Sequence, residues 1–259
     1  MKRALVTGGG RRLGRAIALE LAGEGCDVAV HYATSRTEAE AVAEEIRTLG
    51  RLAITLQADL LDESQVTPLV GRAAAALGGP LTVLINNASI FENDTLADAT
   101  RLSWDRHMES NLRAPVVLTQ MFAAQVPDPA MDARGEPVAQ GLVVNMIDQR
   151  VLKLTPQFMS YTIAKMGLWA FTRTAAQALA PRVRVNGIGP GPTLQAKHQS
   201  EPEFSAQRAA TLLRRGADPE DITGALRYLL GARAVTGQIL AVDGGQHLVW
   251  QTADVVAGG

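Results

Sequence analysis

Ala4-Leu5-Val6-Thr7-Gly8-Gly9-Gly10-Arg11-Arg12-Leu13-Gly14 is the stretch that decides how this chain folds. Its three apolar residues predict a short strand and its glycines a tight turn. Ala16, Ile17, Leu19, Leu21 and Ala22 then recur at helical spacing. Strand, glycine loop and helix, in that order, bring backbone N–H groups to a helix start, where phosphate can bind. A glycine cluster alone is equally well a simple turn, so the flanking elements carry the reading. The spacing departs from the commonest dinucleotide fingerprint, because Arg12 stands where that pattern has another glycine.

Working outward, Asp27 to Tyr32 reads as a second strand. The next helix opens with Ser35 and Glu38 spaced as a capping box. Its apolar face is Ala39, Val42, Ile46 and Leu49, and Gly50 ends it. In such folds an acid at the end of the second strand binds a ribose 2′-hydroxyl. This chain offers His31, Tyr32, Ala33, Thr34, Ser35 and Arg36 there, and Asp27 lies at the wrong end of the strand. With Arg11 and Arg12 nearby, a 2′-phosphate would meet cationic and hydroxyl partners. The expected cofactor is therefore NADP(H).

Ile54 to Gln57 reads as a third strand, followed by Asp59-Leu60 placed to face an adenine. A helix is expected over about 62–77. Leu81 to Ile85 is wholly apolar, which suits a parallel strand buried on both faces. It runs into Asn86-Asn87-Ala88-Ser89, either an ordinary turn or a ligand site at the carboxyl end of a strand.

In the second half, residues 102–125 read as helix, broken near Pro115, and 126–140 as a solvent loop. Gly141 to Ile147 is a fifth strand that delivers Asp148. A helix over about 155–180 places Tyr161 and Lys165 one turn apart on one face, with Leu168, Phe171 and Ala175 turned inward. A tyrosine titrates near pH ~10, so acid chemistry at neutral pH needs about 4 kcal/mol of help. A cation about 4 Å away supplies energy of that order, and Lys165 is expected to lower the phenol in this way. Val183 to Ile188 is a sixth strand leading into Gly189-Pro190-Gly191-Pro192-Thr193. A polar substrate lid is expected over about 190–217, and Gln238 to Val242 makes a last strand before Asp243-Gly244-Gly245. The tail after Leu248 is read as either disordered or reaching a neighbouring subunit.

Composition narrows the function. The 259 residues are 47% hydrophobic and fit a single α/β domain spanning 1–259. The 25 Lys and Arg against 26 Asp and Glu point to neither nucleic acid nor an acidic membrane. Cys26 is the only cysteine, and no Cys/His spacing predicts a metal site. No apolar run reaches membrane-spanning length, and Met1-Lys2-Arg3 leads into a strand too short for a signal peptide. A soluble, cytoplasmic protein is expected.

Thr7-Gly8…Gly14, Asp59, Asn86-Asn87-Ala88, Asn111, Tyr161-x-x-x-Lys165 and Pro190-Gly191 together resemble the short-chain dehydrogenase/reductase family over essentially the whole chain. The resemblance implies a doubly wound, Rossmann-type α/β fold with a mostly parallel seven-stranded sheet, and a homotetramer. It implies a catalytic set of Tyr161, Lys165 and Asn111, the last holding a water-linked proton path. It also implies cofactor binding by Thr7, Gly8, Arg11, Arg12, Leu13, Gly14, His31, Tyr32, Thr34, Ser35, Asp59, Leu60, Asn87, Ala88, Ser89, Lys165, Pro190, Gly191 and Thr193, with Ile188 against the nicotinamide. Asp148 stands where the family usually has a serine that binds a substrate carbonyl, and joins the expected catalytic set by assisting Tyr161 with the proton. As a carboxylate it would oppose Lys165 and raise the phenol by a similar energy, unless it is protonated or serves a nitrogen base. That acid, Arg12 and the loop His31…Ser35 resemble the pteridine reductase branch, in which a phenylalanine, here Phe91, stacks on the pterin. Protozoan members of the branch carry an arginine where this chain has Thr34. The expected activity is NADPH-dependent reduction of a dihydropterin, dihydromonapterin or dihydrofolate at a C=N bond, with Ser89, Phe91, Asp148 and Tyr161 on the substrate. The alternatives are a reductase of keto-acyl, sugar or steroid carbonyls, and a nucleotide-sensing binding protein on the same fold.

Overall fold

A computed structural model describes residues 2–196 and 199–251. In chain order it contains β1 (Lys2–Val6), α1 (Arg12–Gly23), β2 (Cys26–Tyr32), α2 (Arg36–Thr48), β3 (Ala53–Gln57), α3 (Glu63–Val66), α4 (Leu69–Ala76) and β4 (Val83–Asn86). There follow α5 (Arg101–Met108), a π-helical turn (Glu109–Arg113), α6 (Ala114–Gln125), the short strands β5 (Ala130–Met131) and β6 (Pro137–Val138), and β7 (Gly141–Met146). A 3₁₀ turn (Gln149–Val151), α7 (Met159–Leu179), β8 (Val183–Pro190), α8 (Glu201–Ala209), α9 (Pro219–Gly231), β9 (Ile239–Val242) and a second 3₁₀ turn (Gln246–Leu248) complete it.

Seven strands pair in the order β3-β2-β1-β4-β7-β8-β9, and every pairing is parallel. The expected doubly wound sheet is borne out. Strand apolarity explains why both faces are covered. Ala4, Val6, Val28 and Val30 face one core with α1, α2 and α9, whereas Leu5, Ala29 and Leu84 face the other with α4, α6 and α7. Truncating a fully buried leucine such as Leu5 costs about 2–5 kcal/mol. The chain winds one way from β1 and the other way from β4, so a crevice opens between their carboxyl ends. The glycine loop and the Asn87 turn meet there.

Several local expectations are corrected. The helix over 62–77 is two helices, because Pro68 interrupts the backbone ladder between α3 and α4. The irregularity in 102–125 precedes Pro115: the chain widens into the π-helical turn, and the proline sits in the first turn of α6, where its missing N–H costs little. The loop 126–140 folds back as a β5–β6 hairpin whose turn is capped by Asp132. Ser35 makes no capping bond, since Glu38 pairs with Arg11 instead. Ile188 is fully buried in the core and does not reach the crevice. Helix α9, not anticipated, begins where Asp218 N–H donates to Asp221 (2.8 Å). The tail from 252 onward lies outside the described residues. Within those residues no helix is long and apolar enough to cross a membrane.

Candidate active site

At the crevice the glycine loop is built by hydrogen bonds among its own parts. The buried Thr7 hydroxyl donates to Ile85 O (3.3 Å) and accepts from the N–H groups of Asn87 (2.9 Å) and Ala88 (3.0 Å). The Asn87 amide donates to the Thr7 and Gly8 carbonyls. A side chain at Gly14 would put its Cβ 2.0 Å from Gly8 O, so only glycine fits. His31 lies beneath the loop, where Nδ1 accepts from Gly8 N–H (3.1 Å) and Nε2 donates to Ala58 O (3.0 Å). Burial drives its pKa down to about 4, so the ring is neutral. The second-strand histidine therefore props the phosphate loop.

Arg12 adopts a left-handed conformation (φ 53°), the geometry for which the usual pattern has glycine. Its guanidinium crosses to the segment after β8 and donates to Leu194 O (2.9 Å) and Gln195 O (2.8 Å). A non-glycine residue held there is the kind of strain that functional loops carry. Arg11 pairs with Glu38, and Asp27 binds Arg51 (2.9 Å) and Leu52 N–H at the far end of β2. Asp59 caps its own turn through Leu61 N–H (3.0 Å).

A cleft of about 1200 Å³ runs from Thr34 and Ser35 past the loop to Phe158. Every residue expected to contact cofactor or substrate lines it except Thr7 and Ile188, which are buried. Near its middle the Tyr161 hydroxyl donates to Asp148 Oδ2 (2.8 Å), while Oδ1 accepts from Arg150 N–H (2.8 Å). Asp148 thus both caps the following 3₁₀ turn and faces the phenol. Burial lifts its pKa above the usual carboxylate range. Lys165 Nζ donates to Met146 O (2.7 Å), and burial lowers its pKa to about 8.

Of the two opposing influences expected on the phenol, that of Asp148 prevails over that of Lys165. Burial, followed by the Asp148 carboxylate, pushes Tyr161 well above its ordinary pKa, with Arg150 and then the Ser89 hydroxyl acting the other way. The ammonium sits 5.7 Å from the ring centroid, occupied by a carbonyl. Tyr161 is accordingly a firmly protonated donor, and the acid shifted toward neutral pH is Asp148.

Asn111 is fully buried in the π-helical turn, and its side-chain amide bonds both backbone groups of Ile90 (2.8 Å each). It thereby clamps the loop carrying Ser89 and Phe91. Phe91 lies edge-on to Tyr161 (4.8 Å) and stacks parallel on Phe158 (4.3 Å, 1°), whose other face carries Arg150 (4.8 Å). Phe158, Arg150 and Gln149 line the cleft without having been anticipated. Only the position of Phe158, three residues before Tyr161, could have pointed to it. A buried Asn86–Asn145–Thr172 relay (2.8 and 2.9 Å) ties β4, β7 and α7 together behind them.

An α/β crevice with a glycine loop at one end and a Tyr/Lys/Asp cluster at the other defines a nucleotide-dependent oxidoreductase site. Residues 9–247 match the sequence profile described as enoyl-(acyl carrier protein) reductase, and the chain belongs to this family of short-chain dehydrogenases/reductases. It is 44% identical to the alternative dihydrofolate reductase FolM of Brucella canis, solved with NADP, with a TM-score of 0.90 and 98% and 97% of the two chains covered. It is 32% identical to the 3-oxoacyl-[acyl-carrier-protein] reductase FabG of Staphylococcus aureus over 95% of this chain and 98% of that one. It is also 38% identical to an oxidoreductase of Mycobacterium tuberculosis, over 94% and 91%.

Proposed function

We propose that this protein is an NADPH-dependent reductase of a dihydropteridine. The observation that carries the reading is the Tyr161–Asp148 hydrogen bond in the cleft, where relatives that reduce ketones are expected to place a serine. A serine hydroxyl can only offer a hydrogen bond to a carbonyl oxygen, whereas a carboxyl whose pKa burial has raised can also exchange a proton with a basic ring nitrogen. The likeness to a dihydrofolate reductase solved with NADP supports both cofactor and substrate class.

The cleft is large enough for a dinucleotide and a flat substrate together. The loop Gly8–Gly14 would hold the diphosphate, and Thr34, Ser35, Arg11 and Arg12 the 2′-phosphate. When bound, NADPH would supply hydride for the carbon of the C=N bond. Asp148 would carry the proton that the ring nitrogen gains, and Tyr161, whose hydroxyl donates to Asp148, would relay a replacement proton from solvent, gaining one as it gives one. Lys165 anchors α7 to the end of β7 through Met146 O, keeping Tyr161 against Asp148. Phe91, braced by Phe158, gives the substrate a flat face.

We read the protein further as a single-domain, cytoplasmic homotetramer, supported by the exposed Leu102 of α5 and Ile163 and Met166 of α7; light scattering tests the assembly. Carbonyl reduction is the second reading, favoured by the similarity to the 3-oxoacyl reductase. Incubating the protein with NADPH and a panel of dihydropterins, dihydrofolate and ketones, and following cofactor absorbance, separates the two. Turnover of a dihydropterin or dihydrofolate is expected. Turnover of ketones alone overturns the pteridine reading and leaves the family standing.

A further inference from the structure

Beside the Tyr161 ring lies a buried polar cluster that the reaction does not use directly. Asp94, His107 and Ser160 are 3%, 0% and 0% exposed, and the His107 ring stands edge-on to Tyr161 at 6.0 Å. The Asp94 carboxylate accepts from Ser160 N–H (3.0 Å), from the Ser160 hydroxyl, and from the Ser103 hydroxyl (3.0 Å). Ser160 has one hydroxyl proton, and it points to Asp94. Its oxygen must then accept from His107 Nδ1–H, 2.7 Å away. That leaves Nε2 without a proton, and it accepts from Glu92 N–H (3.3 Å). One neutral tautomer satisfies every group.

The cluster joins two segments of the active site. Residues 92–94 follow Phe91 directly, and Ser160 directly precedes Tyr161. Two further bonds run the same way: Met159 N–H donates to Asp94 O (3.1 Å) and Phe158 N–H to Asn93 Oδ1 (3.2 Å). Asp94 also sits at the amino end of α7, where the helix dipole favours a carboxylate. We propose that Asp94, Ser160 and His107 are a positioning unit that fixes the Phe91 ring relative to the Tyr161 hydroxyl, so that they govern turnover of bound substrate and leave cofactor binding alone.

The directionality makes the unit breakable without changing its size. Asp94→Asn has a single acceptor oxygen, and with that oxygen kept on Ser160 N–H its amide nitrogen meets the Ser160 hydroxyl as a donor. Ser160 must then donate to His107 Nδ1, and the proton moved to Nε2 collides with Glu92 N–H. Because misplacement of about 1 Å can cost up to about 100-fold, Asp94→Asn and Ser160→Ala should each lose about 10–100-fold in kcat/KM for a dihydropterin. The NADPH Kd, read by fluorescence titration, should stay within about twofold. His107→Leu should fall with them. His107→Gln, whose amide can donate to Ser160 and accept from Glu92, should stay within about threefold of the wild type. Variants with normal kcat and KM, even with lower thermal midpoints, would reduce the cluster to scaffolding and overturn the proposal. So would a parallel loss of NADPH affinity. The inference rests on the pteridine reading only for its substrate: wild-type protein inactive on dihydropterins defeats that reading, and the same variants are then scored on the ketone it reduces.

Discussion

The two ends of the cleft are built on opposite plans. At the glycine loop the backbone of Thr7, Gly8, Asn87 and Ala88 is held by bonds to short, mostly buried side chains, and Arg11 and Arg12 reach outward, so the fold itself fixes the loop. At the Tyr161 end the ligand meets side chains, and several are held away from their ordinary states. Asp148 is raised, Lys165 lowered, and Gln149 has an amide oxygen that is buried without a partner among the described residues. Binding a constant group such as a diphosphate calls for rigid geometry. Proton transfer calls for groups whose charge the protein has made costly, and those are stabilised only by the chemistry they perform.

If that division is right, the largest effect belongs to the smallest chemical change. Tyr161→Phe removes one oxygen and the bond to Asp148. It should lower kcat by about 10²–10⁴-fold, the usual range for a lost acid–base group, with NADPH affinity unchanged. Near-normal turnover would mean that the hydroxyl is structural and that Asp148 works alone.

Lys165→Met probes the cost stored at the same end. The buried lysine has a folded pKa of about 8 against an ordinary 10.5, so folding disfavours its charge. Below pH 8 it is protonated in both states and the penalty is complete, about 3 kcal/mol. Between those values the folded protein sheds the proton first, and above 10.5 the penalty is gone. Without cofactor, Lys165→Met should therefore gain stability at pH 7, less about 1 kcal/mol for the lost bond to Met146. The gain should shrink as pH rises from about 8. A difference from wild type that stays flat with pH in denaturant titrations would refute the strained-lysine account.

At the other end, Gly14→Ala should cost about 1–3 kcal/mol by overpacking and abolish tight NADPH binding, because its Cβ meets a carbonyl that cannot retreat. Smaller still is Arg12→Gly. Glycine suits the left-handed backbone, so stability should hold or rise. The NADPH over NADH preference, expected to be at least about tenfold or ~1.4 kcal/mol in kcat/KM, should erode. Loss of stability with an intact preference would make Arg12 a strap to the Leu194 and Gln195 carbonyls and nothing more.

The same division explains what the sequence could reveal. The strands and the glycine loop were readable because apolar runs and obligatory glycines are local properties of the chain. Tyr161, Lys165 and Asp148 were readable because fixed spacing places them on known elements. That Asp148 would oppose Lys165 at the phenol was readable too, but not which would prevail, since the fate of the Lys165 ammonium depends on Met146 O, nineteen residues away. The Asn111 bonds to Ile90 were hidden for a related reason: no periodicity announces the π-helical turn that carries them. Phe158 escaped because its partner Phe91 is distant in sequence and both look like ordinary core residues.

Phe158 supplies the finest test of the comparison, because it combines both plans in one residue. Its backbone is left-handed (φ 56°), as at the glycine loop, yet its ring is pressed flat between Phe91 and Arg150, as at the substrate end. An aromatic pair contributes about 0.5–1.5 kcal/mol beyond buried area, so losing the ring should raise the dihydropterin KM about 2–12-fold and leave NADPH binding alone. Alanine and glycine remove the ring equally but differ in what they ask of the backbone. Phe158→Ala keeps a Cβ in a conformation that costs about 1–2 kcal/mol, and Phe158→Gly relieves it. If the ring is what matters, the two variants will share one raised KM while Phe158→Gly melts higher. If Phe158→Gly instead restores the wild-type KM, backbone placement at the start of α7 governs the substrate face, and the two ends of the cleft follow one plan.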